Sequence, residues 1–198
     1  MSEPKTFLRE HAFTLAAICL PIVVAALFLA ASALPKYLVE DPQYRVLLTL
    51  DAHTGEPQPY HVRFQIDHGR LAITAKAVPE QRIHDQKELY LFDPLSGKLE
   101  HIELVLPTEI EGESMDIPAP ERVQNLVFTT GDVAPDGYTF TPSYGNSAGI
   151  FGALFGMGNR YPVGSISRNG RVIEIGSSEG DGYRYYYRTA QLLGWTEA

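Results

Sequence analysis

YHVRFQIDHGRLAITAKAV, residues 60–78, decides the fold class. Val62, Phe64 and Ile66 alternate with His61, Arg63 and Gln65, a period of two that puts apolar side chains on one face of a strand and polar ones on the other. His68-Gly69 interrupts the alternation with a residue pair suited to a tight turn. A second alternating run follows from Arg70 to Val78. The stretch therefore predicts an antiparallel hairpin over Tyr60–Asp67 and Arg70–Val78.

The same signals extend outward. YRVLLTL, from Tyr44 to Leu50, reads as a strand ending in a turn at Asp51-Ala52-His53-Thr54-Gly55. ELYLFD, from Glu88 to Asp93, reads as another, closed by Asp93-Pro94-Leu95-Ser96-Gly97, with Lys98 to Leu106 returning. The two turns share the pattern D-x-x-[ST]-G at a spacing of 42 positions. That spacing suits either a repeated hairpin turn or a propeller blade, and the later turns do not continue it. Residues 107–121 are acidic and proline-containing and read as a long loop. A short helix is expected over Pro120–Leu126. Strands are expected at Asn125–Thr129, Tyr138–Thr141, Val163–Arg168, Arg171–Ile175 and Tyr183–Thr189.

Upstream the pattern changes. AFTLAAICLPIVVAALFLAASAL, from Ala12 to Leu34, carries no charge. As a helix it spans roughly 34 Å, enough for a hydrocarbon core of about 30 Å. Pro21 is expected to kink it. A cleaved signal peptide is the rival reading, with Lys5 and Arg9 as its basic start and Ala31-Ser32-Ala33 as its cleavage site. The apolar run is longer than such peptides carry, and Pro35 follows the site closely. The expected organisation is an N-terminal cytoplasmic tail (1–11), a transmembrane helix (12–34), a linker (35–43) and one β-rich domain (44–198). The fold class is mainly β: an antiparallel, sandwich-like extracytoplasmic domain with one N-terminal transmembrane helix. Lys5 and Arg9 before the helix against Lys36 and Arg45 after it lean slightly to a cytoplasmic N-terminus. The domain is then periplasmic or extracellular, and the protein sits in the inner (plasma) membrane as a single-pass protein.

Charge and cysteine usage exclude several classes. Between residues 45 and 198 the chain has 13 Lys and Arg against 20 Asp and Glu, a net charge of −7. An acidic surface without a basic stripe does not suit nucleic acid or anionic headgroups. The single cysteine, Cys19, lies in the apolar segment, so the domain has no disulfide scaffold, no cysteine zinc site and no cysteine nucleophile.

No catalytic constellation is complete. Gly145-Asn146-Ser147-Ala148-Gly149 matches the G-x-S-x-G elbow, but no histidine follows His101, whereas that chemistry places its acid and base after the serine. His53, His61 and His68, beside Asp51 and Asp67, could supply a two-histidine, one-carboxylate metal set only if the strands bring them together. Glu109, Glu111, Glu113 and Asp116 read as a solvated face. The most unusual stretch is AGIFGALFGMGN, residues 148–159. Ile150, Phe151, Leu154, Phe155 and Met157 stand there among four glycines without a charge, and cover either the domain's own core or a partner or membrane surface. The aromatic run Tyr183, Tyr185, Tyr186 and Tyr187 with Trp195 suits a sheet face or a binding surface.

These features suggest a non-enzymatic accessory or assembly subunit of a membrane or envelope complex. It would need no cofactor and would contact the lipid bilayer. Its partners would be other membrane proteins, met through the helix and the apolar loop. An extracytoplasmic module binding a small ligand or metal is the alternative.

Overall fold

A computed structural model describes residues 12–78, 83–106, 110, 112–143, 162–176 and 190–198; for 12, 14–16, 32–37, 52–58 and 83–85 it describes the backbone only. The described chain is mainly β, with three antiparallel sheets. It divides into two compact units: the helical one ends at Glu40 and also takes in Asn169–Arg171, and the β unit holds the remaining described residues.

Helix α1 spans Ala12–Leu38, 27 residues. Its alanines and leucines favour helix, and it continues past the expected Leu34 through Pro35 to Leu38.

In the β unit, the hairpin read from residues 60–78 is β2 (Tyr60–Asp67) and β3 (Arg70–Ala77). Asp67 pairs with Arg70 across a two-residue turn. His68 and Gly69 both have positive φ, 45° and 76°, the conformation whose twist matches that of the flanking strands. Tyr60, Val62 and Phe64 are buried, while Arg63 and Gln65 are exposed, as the alternation requires.

The first sheet has the order β10-β1-β4-β5, from β1 (Tyr44–Gln58), β4 (Ile83–Asp93), β5 (Lys98–Ile102) and β10 (Ala190–Glu197). The second, β2-β3-β6, adds β6 (Ser114–Ile117). The third, β7-β8-β9, comprises β7 (Thr139–Pro142), β8 (Pro162–Arg168) and β9 (Arg171–Gly176). A single-turn helix, α2 (Glu121–Gln124), falls inside the expected short helix.

Four readings are corrected. The first strand does not turn at Asp51–Gly55. β1 runs on, pairing His53 with Asp85 and, after an irregularity, Gln58 with Ile83; cross-strand pairing with β4 overrides the local turn signal. Only the second D-x-x-[ST]-G segment is a turn, so the two are not a structural repeat. There, Asp93 Oδ1 accepts hydrogen bonds from the backbone N–H of Leu95 (3.0 Å) and Ser96 (3.4 Å), and Gly97 takes φ 68°. The acidic loop contains β6, which extends the second sheet by pairing Ile117 with Ile73. Asn125–Thr129 is not a strand. Thr129 instead forms a bridge to Trp195, exchanging two backbone hydrogen bonds of 2.8 Å. Trp195 itself lies on a strand, β10, which had not been expected. The expected strand at Tyr183–Thr189 lies outside the described residues.

The core explains this arrangement. Leu47, Leu89, Leu91 and Ile102 of the first sheet cluster with Tyr60, Val62, Phe64, Leu71, Ile73, Ala75 and Ile117 of the second, so these two sheets pack face to face. Val46, Leu48, Leu50 and Phe92 point the other way and are also fully buried, at 0% exposure. β1 is thus covered on both faces, which is why Val46-Leu47-Leu48 reads as an unbroken apolar run.

Candidate functional site

The five residues expected to make partner or membrane contact, Ile150, Phe151, Leu154, Phe155 and Met157, lie outside the described residues. The Gly145–Gly149 elbow and the tyrosine run at 183–187 do too. The three candidate metal histidines are placed differently from one another. His53 lies on β1 opposite Asp85, its side chain not described. His61 sits near the start of β2, facing Lys76. His68 occupies the far turn, its side chain 95% exposed and 3.7 Å from the Asp67 carboxylate. Six strand steps at about 3.3 Å put His61 and the turn roughly 20 Å apart, too far to share one ion. Among the described residues, no three His, Cys, Asp or Glu side chains group closely enough to hold a metal. His101 tilts against the Tyr90 ring, centroids 5.0 Å apart, a packing contact rather than a ligand geometry. Asp116 accepts a hydrogen bond from the Thr74 hydroxyl.

Two features of the described structure bear on function. The first is the surface of α1. Every side chain described between residues 17 and 31 is exposed. Ile18, Leu20, Ile22, Val23, Val24, Leu27, Phe28 and Leu29 show between 51% and 68% of their surface. Counted over the described residues alone, no helix is long and apolar enough to cross a membrane. The helical backbone itself runs 27 residues and includes positions on either side of 17–31 whose side chains are not described.

The second is a polar recess where β1, β2, β4 and β10 meet. It encloses about 270 Å³ and is lined by Thr49, His61, Val62, Arg63, Phe64, Lys87, Gln191 and Leu193. Register explains the convergence, because Thr49 of β1 lies opposite Gln191 of β10, and its neighbour Asp51 lies opposite Lys87 of β4. The Lys87 ammonium donates a hydrogen bond to the Gln191 side-chain carbonyl. Both residues also border a wider cleft of about 600 Å³, with Asp51, Asp132, Phe140, Pro142, Ala190 and Leu192. Thr49 is only 1% exposed, and its hydroxyl has no hydrogen-bond partner. Among these residues only His61 had been singled out, because Thr49, Arg63, Lys87 and Gln191 carry no motif and come from four separate strands.

The chain matches no protein-family model, no curated protein and no solved structure.

Proposed function

We propose that this chain is a single-pass membrane protein whose helix anchors an extracytoplasmic β domain, and that it serves as a non-enzymatic accessory or assembly subunit of a membrane or envelope complex. The uncovered apolar surface of α1 carries the proposal. A helix that is apolar all round needs either a protein core or lipid around it. Burying each of those eight large side chains is worth about 1.5–3 kcal/mol, so leaving the set in water forfeits roughly 10 kcal/mol or more. That is comparable to the whole stability of a typical domain. Lipid removes this cost without requiring a second protein.

The absence of any Asp, Glu, Lys or Arg between Ala12 and Leu34 agrees with this reading, since each such charge at a helix centre costs about 2.5–3.5 kcal/mol on insertion. Small side chains at Ala25, Ala26, Ala30, Ala31 and Ser32 let another membrane helix approach closely. The acidic β domain fits a position beside the bilayer in which it does not adhere to anionic headgroups. A metal-binding role centred on His53, His61 and His68 is less favoured, because the hairpin separates His61 from His68.

The test is gentle detergent extraction of the tagged full-length chain, followed by mass-spectrometric identification of what co-purifies. The subunit reading expects a reproducible membrane-protein partner that is lost when α1 is replaced by an unrelated apolar helix. A monomeric chain that recovers no partner contradicts it.

A further inference from the structure

We infer that the recess between Thr49, His61, Arg63, Lys87 and Gln191 is a binding site for a small carboxylate-bearing molecule. The inference is independent of the membrane anchor. Three observations carry it. The first is the buried Thr49 hydroxyl, unpaired at 1% residue exposure. Buried polar groups are almost always hydrogen-bonded, and one left unmet costs on the order of 1–3 kcal/mol. Thr49 lines the recess, and in the inferred site a bound group meets this hydroxyl.

The second is local charge. The domain is acidic overall, yet Arg63 and Lys87 both line this recess together with His61, and among the described residues no carboxylate does. Asp51 and Asp132 border the wider cleft instead. Lys87 sits at the junction, where Gln191 occupies one of its donors; an ammonium has three. Among the described residues Arg63 has no acidic partner, and its cross-strand neighbour is Thr74. Guanidinium and ammonium groups at the rim of the recess suit a carboxylate, which accepts several charge-assisted hydrogen bonds at once.

The third is size and floor. About 270 Å³ lies just below the usual range for small-molecule pockets. Val62, Phe64 and Leu193 add apolar surface. The ligand class that fits is a short organic acid with an apolar body, with its carboxylate toward Arg63 and Lys87 and accepting a hydrogen bond from Thr49.

Isothermal titration of the full-length chain in neutral detergent tests this, with succinate as probe, its neutral diamide as control, and sulfate and phosphate as competing anions. Saturable succinate binding is expected, with the diamide at least roughly tenfold weaker. Arg63→Gln is expected to weaken succinate by roughly tenfold or more. Thr49→Val replaces an unpaired hydroxyl with a methyl of similar size. It is expected to weaken succinate severalfold while leaving the melting temperature unchanged or raised. A Thr49→Val chain that melts lower and binds succinate normally overturns the role of the hydroxyl. Absence of saturable succinate binding, undiminished binding by Arg63→Gln, or equal affinity for sulfate and phosphate overturns the carboxylate assignment.

Discussion

Gly194→Ala isolates the contact that closes the β domain on itself. Gly194 lies on β10 opposite Leu47, beside an irregularity in the β1–β10 register. A Cβ at this position would stand 3.0 Å from the Thr129 carbonyl oxygen, 3.3 Å from Phe128 Cβ and 3.5 Å from Ile66 Cγ1. The first neighbour is backbone and cannot rotate away. That same oxygen accepts the 2.8 Å hydrogen bond from Trp195 N–H, and Phe128 N–H is tied to the Gly69 carbonyl at 2.9 Å. The added methyl must therefore push the 128–129 segment off two anchors. Overpacking of this kind costs about 1–3 kcal/mol. Removing a glycine returns about 0.4–1 kcal/mol by restricting the unfolded chain, so the net loss centres on about 1.3 kcal/mol, or roughly 3–5 °C for a unit of this size. The protein's only tryptophan, Trp195, is 1% exposed and adjacent to the change. Its fluorescence during urea unfolding of the full-length chain in detergent gives both stability and local packing. An unchanged or higher midpoint for Gly194→Ala would refute the close approach of β10 to Thr129.

Gly164→Ala on β8 tests the third sheet in the same way. A Cβ there meets the Phe140 ring at 2.9 Å and the Thr141 carbonyl oxygen at 3.1 Å, so thermal melts are expected to show a loss of about 1–2 kcal/mol. Asp93→Asn should reveal a pH-dependent turn. Burial pushes the Asp93 carboxyl up, but hydrogen bonds from Leu95 and Ser96 and the nearby Arg45 charge outweigh it and hold the group below its usual value. Its contribution is thus present above about pH 4 and lost as pH falls through the lowered folded-state value. The variant should melt below the wild type at about pH 7 and converge with it in acid, once the pH has fallen below the lowered folded-state value. Equal melting at both pH values contradicts this. Phe151→Ser with Phe155→Ser separates partner contact from core packing: the contact reading expects lost partner recovery at unchanged stability, whereas a lower melting temperature without specific loss of partners sinks it.

Local chemistry made the second sheet's hairpin legible. Strict alternation over Tyr60–Asp67 and a two-residue turn at His68-Gly69 leave one register, since a one-residue slip would turn Val62 and Phe64 to solvent. The Asp93–Gly97 turn was equally readable, because its Asp and Gly each do a local job. What sequence could not show was long-range pairing. Asp51–Gly55 carries turn residues, yet β4 keeps that stretch extended. Ser114–Ile117 is four residues within an acidic stretch, and only β3, from Ile73 to Lys76, gives it a partner. Ala190–Glu197 contains Gly194 and looks unpromising as a strand until β1, far earlier in the chain, supplies the other half of its ladder. The recess was hidden for the same reason: its lining comes from four strands, and an unpaired Thr49 hydroxyl is a property of three-dimensional surroundings.

Alkaline carbonate extraction of native membranes, with intact-mass measurement, tests the proposal that α1 is a retained membrane anchor. The chain is expected to stay in the membrane pellet at a mass that still includes Ala12–Leu38. Release into the carbonate supernatant, or a mass lacking the residues up to Ala33, would contradict it.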